Sequence, residues 1–165
     1  MIGGLKMNLK EIAINKLQER GVSINSIALI VYDIQKDYIN DIDIKKCEDT
    51  IMAILNKREV INAILTGVAI DEGVEKGIFD DHIYKIIMED QGLYGIDEIL
   101  ALSIVNIYGS IALTNFGYVD KCKPGIIGVI DKEGKNSDKC HTFLDDIVGA
   151  IAAAAASRLA HHSEE

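Results

Sequence analysis

The sequence predicts an all-α protein of one domain, residues 1–165, built around a central helix at about residues 97–116. Three observations carry that prediction. Hydrophobic residues make up 48% of the chain but aromatics only 5%, with a single proline and no tryptophan, a composition that favours helix over sheet. Apolar residues recur at spacings of three and four in one segment after another. The stretch from Ile99 to Val119 carries no charge at all, so as a helix it must be buried with other elements wrapped around it. At 165 residues the chain can build one core that buries about two thirds of the surface its unfolded form exposes.

The elements follow in order. Met1–Met7 reads as a loose lead-in. Asn8 with Glu11 forms a capping arrangement, and Leu9, Ile12, Ala13 and Leu17 give helical periodicity up to Arg20, stopped by Gly21. A second helix starts near Ser23–Ser26 and ends around Tyr38; Ile39–Asp43 is a polar connector. Asp43 can cap a third, with Cys47, Ile51, Ile54 and Leu55 inside and Lys45, Lys46, Glu48 and Asp49 in water. From Asn56 a fourth helix carries Val60, Ile64, Gly67, Val68 and Asp71 on one stripe. Gly67 in mid-helix signals close approach of another helix, and Asn62 and Thr66 form an outward polar pair or an inward one. A short helix spans Asp80–Asp90 and is broken by Gln91, Gly92 and Gly95 before the central stretch. Beyond it, Gly117–Gly125 reads as a loop, Ile126–Ile130 is ambiguous, and Asp131–Lys139 is a surface loop without function. The last helix begins near Cys140 or Thr142, and its Ala-Gly-Ala face predicts tight packing against the central one.

Charge narrows the function. The net charge is −9 and the chain has only three arginines, Arg20, Arg58 and Arg158, which argues against nucleic acid and against docking to an anionic leaflet. Membrane contact is at most peripheral. The run Ile99–Val119 is long enough to span a bilayer, but its asparagines, glycines, serines and threonine make it weak on any insertion scale. Cys47, Cys122 and Cys140 are odd in number and scattered, as expected of reduced thiols in a cytoplasmic protein. Lys6, Lys10 and Glu11 follow the first apolar residues too closely for a secretory signal. A positive mean hydropathy predicts a homo-oligomer.

Two adjacent acid pairs, Asp97–Glu98 and Asp145–Asp146, each open an otherwise apolar helix. As acids at helix N-termini they need no function beyond favouring the dipole. Gathered on two closely packed helices, with no matching His or Cys set, they suit a hard cation such as Mg²⁺. Lys121 and Lys123 lie just past the central helix, where they can meet a substrate phosphate. No Walker loop, GxGxxG or GxSxG elbow is present. Ser103, Asn106, Ser110 and Thr114 form a polar stripe within an arc of about 80°, but Asp97 lies about 180° from Asn106. The Asp97–Glu98 pair and the stripe therefore need not be one site. Asn106 stays a substrate-binding candidate, while Ser110 and Thr114 are left to helix packing. His141 and Asp145, at i and i+4, read as a capping contact rather than ligands.

Tyr94-Gly-Ile-Asp-Glu-Ile99, Asp120-Lys-Cys-Lys-Pro124 and Asp145-Asp-Ile-Val-Gly-Ala150 resemble, in that order, three motifs of the phosphatidylglycerophosphatase A family. The whole chain is most similar to that family's soluble bacterial branch, the YutG-like proteins. The resemblance implies a central helix surrounded by about five others and Mg²⁺-dependent removal of the phosphate monoester from phosphatidylglycerophosphate, with a soluble phosphomonoester as the other substrate; the partner is accordingly a phospholipid headgroup or a phosphorylated small molecule. By position it assigns Asp97, Glu98, Asp145 and Asp146 to the metal. It makes Lys123 the phosphate partner, Asp120 the residue that positions Lys123 or assists proton transfer, and Asp146 a catalytic residue as well as a ligand. Three departures accompany it: the glycine- and proline-containing N-terminal motif is absent, Gly117 stands where the membrane enzymes carry arginine, and Ile126 stands where they carry a second proline. The alternative expectation is a non-catalytic oligomer that retains the metal site in a structural or regulatory role.

Overall fold

The structure, a computed structural model, describes residues 8–162, so the lead-in at Met1–Met7 lies outside the described residues. These contain nine helices and no strand: α1 (Leu9–Glu19), α2 (Ile24–Gln35), α3 (Ile44–Ile54), α4 (Arg58–Glu75), α5 (Asp81–Met88), α6 (Ile96–Val105), α7 (Gly109–Cys122), α8 (Ile126–Asn136) and α9 (Leu144–His162). The all-α class is as the sequence predicts. The early boundaries follow local chemistry. The Asn8 side chain accepts the Glu11 N–H at 2.9 Å while Glu11 accepts the Asn8 N–H at 3.2 Å, a reciprocal box that Ser23 and Ser26 repeat at the start of α2.

The axis of the fold is α9 rather than the predicted helix at 97–116. From Leu144 to Ser157 every residue of α9 is buried, and α2, α3, α4, α6, α7 and α8 all pack against it. Its run of alanines explains the placement, because small side chains let six helices approach one backbone. The uncharged stretch is two helices, α6 and α7, separated at Asn106–Tyr108. Gly109 takes a left-handed φ of 81° there, and Ser157 of α9 donates to the Tyr108 carbonyl at 2.9 Å. Each half buries one face only: Ala101, Ile104 and Val105, then Ala112, Phe116 and Val119. Ile99, Leu113 and Tyr118 remain exposed. Absence of charge was therefore not a measure of burial.

Two other expectations change. The α7 helix runs on to Cys122, so Asp120 and Lys121 are helical, not in a loop. The segment 126–139 is mostly α8, because Ile127 and Ile130 bury one face and Lys135 bridges Asp131 at 2.7 Å, an i,i+4 pair that supports the helix through Gly134. Among the described residues no helix is long and apolar enough to cross a membrane.

Gly67 meets α9, as its place in mid-helix predicts. A β-carbon there would collide with Ile147 Cδ1 and lie 3.2 Å from Phe143 Cβ. Gly67→Ala is expected to cost about 1–3 kcal/mol through overpacking, less up to about 1 kcal/mol of regained helix propensity. A denaturant titration of the variant checks the net sign.

Candidate functional site

Three chain reversals bring the acidic segments together. Gly95, at φ 75°, turns the chain into α6 so that Asp97 and Glu98 fall in its first turn. Lys123 closes α7 in the left-handed region at φ 46°, an unusual conformation for a residue with a β-carbon. Behind it α8 comes so close that a β-carbon on Gly128 would stand 2.5 Å from the Lys123 carbonyl oxygen. The third is the turn before α9, which delivers Asp145 and Asp146. Between them lies a pocket of about 160 Å³ whose walls include Asp90, Asp97, Asp120, Lys123, Asp145 and Asp146.

Lys123 sits at its centre. The Nζ donates to Asp120 Oδ1 and Asp145 Oδ2, each at 2.9 Å, and lies 3.6 Å from Asp146 Oδ1. Desolvation works against its charge, but the pull of Asp145 and the bonds to Asp145 and Asp120 outweigh it and hold the ammonium protonated well above the usual lysine range. The acids are poorly served by comparison. Burial, and then the charge of Asp145, push Asp146 well up from the carboxylate range. Burial also raises Asp145, with Lys123 opposing it. Burial raises Asp97 as well, against the amides of its own helix start, and its Oδ1 is buried with no hydrogen-bond partner.

Of the residues singled out in the sequence, Asp97, Glu98, Asp120, Lys123, Asp145 and Asp146 all line this pocket, Glu98 from an exposed position. Lys121 and Asn106 are not brought to it. Lys121 is exposed on the outer side of α7. Asn106 ends α6 and lines an apolar groove with Ser103, Ser110, Ile99, Leu102 and Leu113. His141 and Asp145 do not pair through their side chains: Asp145 turns to Lys123, and His141 Nε2 lies 2.8 Å from Glu133. Asp90 was missed. It follows α5 at φ 47° and forms a wall both of this pocket and of an adjoining chamber of about 310 Å³ lined by Asp131, Lys135, Ser137, His141, Thr142 and Asp145. Glu89 and Asp90 are adjacent acids too, but they close a helix instead of opening one, and at a helix end they carry no sequence signal that separates them from surface charge.

The turn before α9 is clamped by buried polar groups. Arg20 makes a two-bond fork to Glu75 at 3.0 and 2.6 Å and reaches the Cys140 carbonyl at 2.5 Å, while Cys140 N–H donates to Glu75 at 2.7 Å. Desolvation alone would raise the Glu75 carboxyl, but Arg20 and the Cys140 amide overcome it and hold the group below its ordinary value. A depressed carboxyl contributes stability that is present above the ordinary value and is lost as pH falls through the depressed one. Glu75→Gln is accordingly expected to lower stability by about 1–3 kcal/mol at neutral pH and by less under acid, as thermal melts across pH 3–7 would record.

Whether these residues suit a metal ion turns on their chemistry. The donor set is carboxylate only, one buried oxygen is unpartnered, and one lysine stands against Asp90, Asp97, Asp120, Asp145 and Asp146. Among the described residues no three His, Cys, Asp or Glu side chains are already drawn around a common point. The set therefore fits a hard, oxygen-seeking cation by donor type and charge, with Lys123 acting as its counter-ion.

Comparison with known proteins gives the chain its relatives. The chain is 50% identical over 148 residues to the uncharacterised protein YutG of Bacillus subtilis, covering 90% of this chain and 88% of that protein. It is 48% identical over 155 residues to YpjQ of the same organism, covering 94% and 86%. The crystal structure of the low temperature requirement C protein from Listeria monocytogenes superposes with a TM-score of 0.92 at 50% identity, covering 97% of this chain and 99% of that one. Residues 14–161 match the family described as phosphatidylglycerophosphatase A. The chain belongs to the phosphatidylglycerophosphatase A family.

Proposed function

We propose that this protein is a Mg²⁺-dependent phosphomonoester hydrolase whose active site is the pocket between the starts of α6 and α9 and the end of α7. The observation that carries the proposal is the convergence of Asp120, Asp145 and Asp146 on the half-buried Lys123, with Asp97 lining the same pocket and one of its buried carboxylate oxygens left unpartnered. Such a grouping is unfavourable for stability and calls for a cation. Asp97, Asp145 and Asp146 would hold Mg²⁺, with Glu98 at the rim. The ion would supply Lewis-acid polarisation of the phosphate and a bound water of lowered pKa.

The chain's own groups do the rest. Lys123 is held between Asp120 and Asp145, so its ammonium meets a phosphate oxygen from a fixed direction and offsets its charge. Asp120 is partly exposed at the pocket edge and accepts from Lys123; it orients the ammonium, and as a carboxylate it can take a proton from the attacking water and hand it to the departing alkoxide. The adjoining chamber of about 310 Å³, which shares Asp90 and Asp145 with the pocket, gives room for the alcohol part of the substrate. That part belongs either to a phosphorylated small molecule or to a phospholipid headgroup. The free state of Cys47, Cys122 and Cys140 supports a reducing, cytoplasmic setting.

One observation favours a second reading, a homo-oligomer that keeps the ion for structure or regulation. The apolar groove at the α6–α7 junction, about 690 Å³ and lined by Ile99, Leu102, Val105 and Leu113, is open to solvent. A panel of phosphomonoesters, including the lipid in detergent, assayed with Mg²⁺ and with EDTA, separates the two. Mg²⁺-dependent phosphate release from any member supports the hydrolase. No turnover, with Mg²⁺ still raising thermal stability, supports the oligomer.

A further inference from the structure

The helix that carries Asp145 and Asp146 has no cap of its own. Phe143 precedes its first residue, and a phenyl ring accepts no hydrogen bond from a backbone N–H as Ser, Thr, Asp or Asn would. The N–H groups of that first turn are nevertheless all partnered. Phe143 and Leu144 donate to Asp71 Oδ1 and Oδ2 at 3.1 and 3.0 Å; Asp145 donates to the His141 carbonyl at 3.1 Å and Asp146 to Asp145 Oδ1 at 2.8 Å. Asp71 belongs to α4, is wholly buried on that helix's apolar stripe, and also accepts from the Cys140 thiol at 3.4 Å. Packing alone would be met by an apolar side chain there, since burying a carboxylate is unfavourable without such partners.

We propose that Asp71 is a positioning residue, a cap supplied from α4 that fixes where α9 begins and therefore where Asp145 and Asp146 stand in the acidic pocket. Its bearing on activity rests on the reading of that pocket given above. A cap in the helix's own sequence moves with the helix, whereas this one ties the first turn of α9 to a separate element. Without it, the Phe143 and Leu144 N–H groups lose their partner and the turn that frays first contains both pocket acids. The remaining tethers, Arg20 and Glu75 on Cys140 and the Thr142 hydroxyl on the Ile87 carbonyl at 2.5 Å, do not touch Phe143 or Leu144. The turn stays attached, so the expected defect is local.

The test compares Asp71→Asn with Ile51→Val, a core truncation in α3, which supplies no wall of the pocket. In Asp71→Asn, amide hydrogen exchange at Phe143, Leu144, Asp145 and Asp146 should speed up by about tenfold relative to the middle of α9. Mg²⁺ binding by calorimetry should weaken by about tenfold, the usual scale for a group that holds a ligand in place. Ile51→Val should alter neither ratio. Asp71→Ser, with the same expected pattern, serves if Asp71→Asn does not fold. Unchanged relative protection of those four amides in the capping variant, or equal loss of Mg²⁺ in the control, overturns the proposal. Wild-type protein that binds no Mg²⁺ would instead overturn the reading of the pocket, and the exchange comparison would then decide the cap alone.

Discussion

Asp146→Asn should make the metal-free protein more stable while removing its activity. In the native state this carboxyl is buried beside Asp145, and both effects raise its pKa well above that of an exposed aspartate. Between the ordinary value and the raised one the native protein binds a proton that the unfolded chain does not. Wild-type stability therefore falls as pH climbs through that window, and asparagine has no such term. The gain should be about 1–2 kcal/mol near neutral pH, a rise of about 2–8 °C in Tm for a chain of this size, and should shrink towards pH 4. Thermal melts in EDTA across that range check it. Phosphate release in Mg²⁺ should fall by about 10²-fold or more, the scale seen when a group facing transition-state charge is lost. A variant that is both no more stable and fully active would mean that the acid cluster is not a site held at the expense of stability.

Lys123→Met should have the opposite effect on stability. Among the described residues its ammonium is the only cation within 4 Å of Asp120, Asp145 and Asp146, and the last two carboxylates are buried. Removing one partner of a buried ion pair leaves uncompensated charge, expected here to cost about 3–5 kcal/mol, or about 6–20 °C in Tm. Millimolar Mg²⁺ should recover much of that loss and should raise the variant's Tm by more than the wild type's, because the ion takes over the neutralising role. Turnover should not recover, because the phosphate partner is gone. Differential scanning calorimetry with Mg²⁺ and with EDTA measures both shifts. An equal Mg²⁺ effect in the two proteins would separate the ion from this pocket.

The sequence was most informative where local chemistry alone decides. The box at Asn8, the start of α2 near Ser23, the Asp43 cap and the glycine stop at Gly21 are backbone matters settled within four residues, and they stand where expected. The acidic pairs and Lys123 were also legible, because three short motifs in order carry more information than their hydrophobic surroundings. The centre of the fold was not. An uncharged run and an alanine-rich run both read as buried, but the one that can accept neighbours on every side is the one with small side chains, and that is α9. Counting apolar residues from Ile99 to Val119 could not reveal that Ile99, Leu113 and Tyr118 face outward from a chain broken at Gly109. The same limit displaced Asn106 and Lys121, whose faces depend on where α6 ends and how far α7 runs. Asp71 stood out in the sequence as an acid on an apolar stripe, but its partners are 72 and 73 residues away and only the fold brings them to it.

The central claim is that one divalent ion and one phosphate share the pocket around Lys123. Crystals grown with Mn²⁺ and phosphate, with data collected at the manganese absorption edge, test it directly. The account predicts an anomalous peak against Asp146 and Asp97 with phosphate on Lys123. A peak elsewhere, or phosphate bound away from Lys123 with no ion among these carboxylates, would contradict it.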